Sequence, residues 1–176
     1  MSFINREFKA CCADPDRIRA LLSERGARYA GRDHQLDTYF NVPHGRLKLR
    51  EGSIEHSLIH YHRPDTSGPK TSQVILYQPE PDPQLKAALS AALGVLVVVD
   101  KQRHIYFEDN VKIHVDEVRE LGSYLEVEAI QTDPSMTEDA LQEQCVAYAR
   151  LFSVREEDYV DRSYSDLLVD AIRNTR

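Results

Sequence analysis

The sequence predicts an α+β fold in which about eight antiparallel strands close into a barrel with a polar interior, and helices pack on the outside. First, the chain contains roughly eight extended segments and few helical ones, and about eight strands can enclose one small ligand. Second, segments such as VKIHVDEV alternate charged and apolar residues, so each strand has one charged and one apolar face. If helices cover the apolar faces, the charged faces line the interior.

The first segments are a strand, a helix and a longer strand. Residues 3–12 alternate in polarity and predict the first strand. Asp14 is a suitable helix N-cap, Pro15 fits the first helical turn, and Gly26 is a natural stop. Residues 28–41 are rich in aromatic and apolar residues and predict an extended segment.

The middle of the chain is divided by short turns. The turns VPHG and EGS delimit strands at 46–51 and 54–63. Residues 64–72, PDTSGPKTS, have the composition of a flexible loop. A strand at 73–78 follows, and a short helix is predicted at 82–93 after the PEPDP break.

The last third contains three strands and two helices. Strands are predicted at 95–107, 111–118 and 123–131, and EDN and ELGS separate them. The sequence TDPS opens a helix over 136–152, and a last helix covers 163–173. Residues 1–176 are predicted to form one domain.

Composition restricts the classes of function. The chain is 41% hydrophobic and 29% charged, which is typical of a globular protein. Its net charge of −7 argues against a general nucleic-acid or anionic-membrane binder. It lacks a membrane-spanning apolar run and a signal-peptide pattern, so a cytoplasmic location is expected. The three cysteines form no CxxC motif, which argues against a disulfide framework or a zinc site.

Several segments match the motifs of one protein family in their order and spacing. They are NREFK (5–9), DTYFNVPHGRLKLRE (37–51), LIHYHRPD (58–65), KQRHIYFEDNVKIHVDEVRELGSYLEVEA (101–129) and SYSDLL (163–168). On these segments the chain resembles the CYTH superfamily of triphosphate tunnel metalloenzymes, which includes class IV adenylyl cyclases and thiamine triphosphatases, and NREFK is similar to the family's ExExK signature. The resemblance implies a tunnel of eight antiparallel strands that binds a triphosphate and divalent cations. Asn5 stands where the signature has its first Glu.

A triphosphate in a tunnel needs cations close to it, and the bases of this chain are clustered. Arginine suits bidentate phosphate contacts and lysine supplies a compact charge. The candidate substrate-binding residues are Lys9, Lys48, Arg50, Arg63, Lys101, Arg103 and Lys112.

Acidic residues on the same faces are candidate ligands of Mg²⁺ or Mn²⁺, which prefer hard oxygen ligands and bridge to substrate phosphates. The candidates are Glu7, Asp116, Glu126 and Glu128, and Glu126 and Glu128 share one strand face. Glu7, Lys9 and Asp116 are also the candidate catalytic residues.

Three histidines leave alternatives open. His60 and His62 share a strand face, which could form a zinc pair but is more typical of an ordinary polar face. His114 lies between Lys112 and Asp116 on the charged face and could orient substrate or carry a proton.

The leading functional prediction is a metal-dependent enzyme that acts on a small-molecule triphosphate, in the manner of a class IV adenylyl cyclase that converts ATP to cyclic AMP and pyrophosphate. One alternative is a triphosphatase that hydrolyses tripolyphosphate, a nucleoside triphosphate or thiamine triphosphate. Another, suggested by Asn5, is a non-catalytic sensor of a phosphorylated ligand. A homodimer is compatible with the sequence.

Overall fold

The structure, a computed structural model, describes residues 2–62 and 68–174. It contains eight antiparallel strands in the closed order β1-β5-β4-β3-β2-β6-β7-β8, which confirms the predicted barrel. The strands are β1 Ser2–Cys11, β2 Arg28–Phe40, β3 Arg46–Glu51, β4 His56–His62, β5 Lys70–Tyr77, β6 Val95–Glu108, β7 Val111–Val118 and β8 Gly122–Ile130.

Four α-helices lie outside the strands. They are α1 Pro15–Glu24, α2 Pro83–Leu93, α3 Glu138–Leu151 and α4 Tyr164–Asn174, and a short 3₁₀ turn spans Glu156–Asp158. The Asp14 carboxylate caps α1 by accepting from the Arg17 amide, as the sequence predicts. Among the described residues, no helix is both long enough and apolar enough to cross a membrane.

Two strands begin more than one residue away from the predicted position, and the other described strand boundaries agree with the prediction to within one residue. β4 begins at His56 rather than at residue 54, because residues 52–55 form a turn that the buried Asp33 carboxylate holds. β5 begins at Lys70 rather than at residue 73, because Lys70 pairs with Glu7 of β1. Residues 63–67 of the predicted loop lie outside the described residues.

The apolar faces of one side of the barrel pack under helices α1 and α3. Ile18 of α1 and Leu141 of α3 are buried in one cluster with the outward side chains of β1, β7 and β8, such as Phe8, Ile113 and Val127. This packing buries the outer faces of the strands and turns their charged faces inward.

Helix α4 lies across one end of the barrel. Its Tyr164 and Leu168 are buried in a cluster with inward-facing residues of β2 and β6, namely Tyr39, Val97 and Val99. The helix therefore closes this end of the lumen, which we call the closed end. The opposite end, where β6 reaches Phe107, we call the mouth.

Candidate active site

The lumen holds a cavity of about 300 Å³ whose wall carries charged side chains from five strands, β1, β3, β6, β7 and β8. Nine of the residues predicted from sequence line it: Glu7, Lys9, Lys48, Arg50, Lys101, Arg103, Lys112, Glu126 and Glu128. Asp116 is buried on the same face of β7 and contacts Arg103. Arg63 lies outside the described residues.

Asp37 organises three of the predicted phosphate-binding cations, and sequence analysis did not select it. Its carboxylate accepts two hydrogen bonds from Arg50, each 2.8 Å long, and one each from Lys48 at 3.0 Å and Lys101 at 2.7 Å. Burial opposes ionisation, but Arg50, Lys101 and Lys48 outweigh it and hold the pKa of Asp37 well below its usual range. Asp33, Gln35 and Asp37 are spaced two residues apart and so share one face of β2, and this polar alternation is the sequence signal that could have identified Asp37.

Arg103 is held by carboxylates on two neighbouring strands. It donates to both oxygens of Asp116, at 2.7 and 2.5 Å, and to Glu126 at 2.7 Å. The Tyr164 hydroxyl also donates to Asp116, at 2.7 Å. Both oxygens of Asp116 are thus engaged, and the structure places this residue outside the carboxylate–imidazole cluster described next.

His114, Glu126 and Glu128 form a potential metal site on β7 and β8. One ligand atom from each residue lies within 4.8 Å of the others, and within the described chain this is the only such group of three. Cross-strand pairing of His114 with Glu126 brings them together. Burial, with Arg103 next, lowers the pKa of His114 to about 3, so the imidazole is neutral and able to bind a metal ion. Burial raises the pKa of Glu128 to about 7, and Glu7 and Glu126 add to this effect.

Buried polar atoms at this cluster lack partners. Within the described residues, neither ring nitrogen of His114 makes a hydrogen bond of good geometry, although this side chain is 1% exposed; its Nδ1 lies 3.5 Å from a Glu126 oxygen and 3.8 Å from a Glu128 oxygen. The Oδ1 atom of Asn5, 2% exposed, also lacks one. Unsatisfied buried polar groups are costly, so a cation bound between carboxylates and imidazole would fit the chemistry of these donors.

Glu7 and Lys9 place the first motif against the same cluster. Glu7 pairs with Glu128 across β1 and β8, and the Asn5 amide donates to Glu7 at 3.4 Å. Lys9 Nζ lies 3.0 Å from a Glu126 oxygen and 3.8 Å from the centre of the Tyr164 ring. The motif therefore supplies one acid and one base to the wall opposite Asp37.

Glu55 is a second lumen residue that sequence analysis missed. It comes from the turn between β3 and β4 and forms ion pairs with Arg50 of β3 and Lys112 of β7. Arg50 and Lys112, after the opposing effect of burial, lower the pKa of Glu55. The Glu55 carboxylate is thus paired with two cations, Arg50 and Lys112, that could otherwise bind a phosphate group.

The His60 and His62 pair lies on the outer face of β4, since Ser57, Ile59 and Tyr61 are the residues that face the lumen. His60 Nε2 contacts the carbonyl oxygen of His44 at 3.1 Å. The pair is therefore part of a polar outer face, as the more ordinary of the two sequence interpretations holds.

The geometry defines a class of protein: a closed antiparallel barrel whose lumen carries buried cations beside a carboxylate–imidazole cluster. The sequence model of the CYTH domain matches residues 4–164, and the chain belongs to this family. No curated protein has a sequence that matches the chain significantly.

Solved structures share the fold. A protein of Pyrococcus horikoshii is 22% identical, with 95% of this chain and 99% of that chain covered and a TM-score of 0.71. A candidate adenylate cyclase of Vibrio parahaemolyticus is 19% identical, with coverages of 96% and 99% and a TM-score of 0.70. A candidate adenylyl cyclase of Hippeastrum, described as having a dominant triphosphatase activity, is 14% identical, with coverages of 98% and 96% and a TM-score of 0.57.

Proposed function

We propose that this protein is a metal-dependent enzyme that acts on a small-molecule triphosphate, with conversion of ATP to cyclic AMP and pyrophosphate as the leading reaction. The observation that carries the proposal is the juxtaposition of the His114–Glu126–Glu128 cluster with buried cations in one closed lumen. A triphosphate brings about four negative charges, and a lumen of this composition can neutralise them.

Glu126, Glu128 and His114 would hold the metal ion, with Glu7 and the Asn5 oxygen beside them. Mg²⁺ and Mn²⁺ accept such oxygen donors, and imidazole suits Mn²⁺ better than Mg²⁺. When bound, the ion would neutralise phosphate charge and polarise a phosphoryl oxygen.

The cations of the chain have separate tasks in this proposal. Lys9, Arg103 and Lys112 bind phosphate oxygens, and Asp37 keeps Lys48 and Arg50 oriented before substrate arrives. Asp116 acts as a positioning residue, because it holds Arg103 through two hydrogen bonds. Such prearranged charges stabilise a developing negative charge without reorganisation.

In the cyclase reaction the 3′-oxygen of ATP bonds to the α-phosphorus, and the bond to the pyrophosphate oxygen breaks. We assign Glu7 as the acceptor of the 3′-hydroxyl proton, because it faces the lumen beside Glu128. Lys9 would stabilise the charge that accumulates on the departing pyrophosphate.

Hydrolysis at the terminal phosphorus is the second candidate. Lys9 contacts Tyr164, and Arg103 shares the Asp116 carboxylate with Tyr164, so both cations lie at the closed end. A triphosphate that enters from the mouth would bring its terminal phosphate closest to them.

The cytoplasmic location, the homodimer and the single domain stay predictions from sequence.

A product assay with purified protein tests the proposal. ATP or tripolyphosphate is supplied with Mg²⁺ or Mn²⁺, and cyclic AMP, pyrophosphate and orthophosphate are measured. Cyclic AMP with pyrophosphate would support the cyclase, and orthophosphate alone would support the hydrolase. Tight metal-dependent binding without turnover would contradict both and favour the sensor.

Two variants connect the activity to the site. Glu126→Gln and Glu128→Gln are expected to lower kcat at least 100-fold, since each removes a charged metal ligand. Glu117→Gln, on the exposed outer face of β7, is the matched control and should retain wild-type activity. Equal activity of all three variants would exclude the cluster as the site.

A further inference from the structure

A carboxylate bridges two cations of the lumen near its mouth. The side chain of Glu55 forms ion pairs with Arg50 of β3, at 2.9 Å, and with Lys112 of β7. In the closed order of the barrel, β2 and β6 separate these two strands, so the bridge runs across the lumen. All three side chains line the cavity, and Phe107, which marks the mouth, lies beside Lys112. A ligand that enters from the mouth therefore meets this bridge.

The turn that carries Glu55 is fixed in place by the buried Asp33. The Asp33 carboxylate accepts hydrogen bonds from the backbone amides of Ser53, Ile54 and Glu55, at 2.7, 3.0 and 3.0 Å. Glycine fits at position 52 because a Cβ atom on Gly52 would lie 2.5 Å from the same carboxylate. The backbone of the turn thus has a defined position, and any change at the bridge has to come from rotation of the Glu55 side chain.

Glu55 differs from Asp37, the other acid that holds Arg50. Asp37 is 1% exposed and lies behind its cations, outside the lining of the cavity. The Glu55 side chain is 17% exposed, as is that of Lys112, and both line the cavity. The neighbouring Ile54 is 44% exposed, so the turn lies at the surface. Asp37 is therefore a permanent partner of Arg50, whereas the carboxylate of Glu55 can rotate towards solvent.

We propose that Glu55 is an internal competitor of the substrate: its carboxylate occupies Arg50 and Lys112 until a polyphosphate binds, and a phosphate group then takes its place. This inference rests on the proposed function, which assigns these cations to the phosphates. A phosphate group presents two oxygens to a pair of cationic donors much as a carboxylate does, so it can replace the Glu55 carboxylate directly. The exchange leaves neither cation unpaired, as charges removed from water require.

The competition favours ligands that engage many cations at once. Breaking the bridge costs the same for every anion that replaces Glu55. A single phosphate group gains little beyond the two pairs that it breaks, whereas a triphosphate also reaches cations deeper in the lumen, such as Lys9 and Arg103. A triphosphate would therefore open the bridge at concentrations at which a monophosphate leaves it closed.

Two substitutions of Glu55 separate competition from a general effect of charge. Glu55→Gln removes the negative charge. Glu55→Asp keeps the charge but is shorter by one methylene, so its carboxylate no longer reaches both cations from a backbone that Asp33 holds. Glu51→Gln is the matched control, because Glu51 pairs with Lys86 of α2 on the outside of the barrel. Calorimetry measures the dissociation constant of tripolyphosphate with EDTA, which removes any effect on metal binding, and with Mg²⁺ if binding requires it.

Glu55→Gln should lower the dissociation constant of tripolyphosphate at least fivefold and Glu55→Asp at least twofold, because neither variant spends affinity on opening the bridge. The Glu51→Gln control should stay within about 1.5-fold of the wild type. If the loss of charge prevents folding, Glu55→Asp decides the result by itself.

Unchanged or weaker binding by the Glu55 variants would overturn the inference, since Glu55 would then be neutral or would position the cations for substrate. Tighter binding by a folded Glu55→Gln alone would also overturn it, because the gain would come from net charge. Failure of the wild type and all variants to bind tripolyphosphate, with or without Mg²⁺, would instead refute the proposed function of the lumen and, with it, this inference.

Discussion

The carboxylate of Asp37 lies 2.7 Å from Nζ of Lys101, and the same carboxylate also binds Arg50 and Lys48. Asp37 is 1% exposed, so a single acid holds three cations away from water. Such an arrangement stabilises the fold less than an apolar core would, but it keeps positive charge ready for a polyanion.

Replacement of this acid should destabilise the protein strongly. Asp37→Asn leaves three cations without their main partner, and we expect a loss of about 3–5 kcal/mol in the free energy of unfolding. Urea denaturation at pH 7 measures it. Asp100→Asn, which breaks the exposed pairs with His34 and Arg119, should cost below about 1 kcal/mol.

A polyanion should partly rescue the same variant. Tripolyphosphate supplies the negative charge that Asp37→Asn removes, so it should raise the melting temperature of the variant more than that of the wild type. Equal shifts in both proteins would show that the ligand does not reach these cations.

Lys101 should make stability depend on pH above neutrality. Burial, with Arg50 and Arg103, lowers its pKa to about 7 despite the opposing effect of Asp37. Between pH 7 and about 10.5 the unfolded chain binds a proton that the folded protein does not, so the free energy of unfolding rises with pH in this window and levels off below pH 7, where both states are protonated.

Comparison with Lys101→Met isolates this effect from other titrating groups. The wild type should gain about 2 kcal/mol more than the variant between pH 7 and 9, as measured by denaturation at each pH. Parallel pH profiles would mean that Lys101 keeps its proton in the folded state.

Local periodicity predicted the strands but not every boundary. Alternation along β7 and β8 was readable because one face packs on helices and the other faces the lumen. The start of β5 could not be predicted from local sequence, because Lys70 is extended only through its pairing with Glu7, about sixty residues earlier in the chain. The pairing of Asn5 with Ile130, which closes the barrel, is likewise absent from any local pattern.

Some residues of the candidate site could be predicted from strand alternation, and others depend on contacts that no local pattern reveals. Glu126, Glu128 and Lys9 lie on regular strands, so their inward direction followed from alternation. Glu55 lies in a turn, and its place in the lumen depends on Asp33, which accepts a hydrogen bond from the Glu55 amide at 3.0 Å. The contact of Tyr164 with Asp116 depends on how α4 docks, which no strand or helix pattern reveals.

His114 should influence which metal ion the protein binds. A neutral, buried imidazole beside two carboxylates favours Mn²⁺ relative to Mg²⁺. His114→Ala should weaken Mn²⁺ binding at least tenfold, measured from the signal of free Mn²⁺ in electron paramagnetic resonance, and should change Mg²⁺ binding less than threefold. His62→Ala, on the exposed outer face of β4, is the control. Equal losses for the two ions would exclude His114 as a ligand.

Asn5 should influence the charge of the candidate metal site and therefore its affinity for cations. Its side chain is buried beside Glu7, and its amide donates to that carboxylate at 3.4 Å. Asn5→Asp replaces this donor with a second negative charge, so we expect a lower melting temperature without metal and a larger increase on addition of Mg²⁺.

Gln73→Glu provides the control for added charge, since Gln73 is exposed on the outer face of β5. It should leave both melting temperatures close to those of the wild type. If Asn5→Asp lowered the melting temperature with and without Mg²⁺ by the same amount, the Asn5 side chain would not face the cation. A selective gain with Mg²⁺ would show that this position limits how strongly the lumen holds its metal.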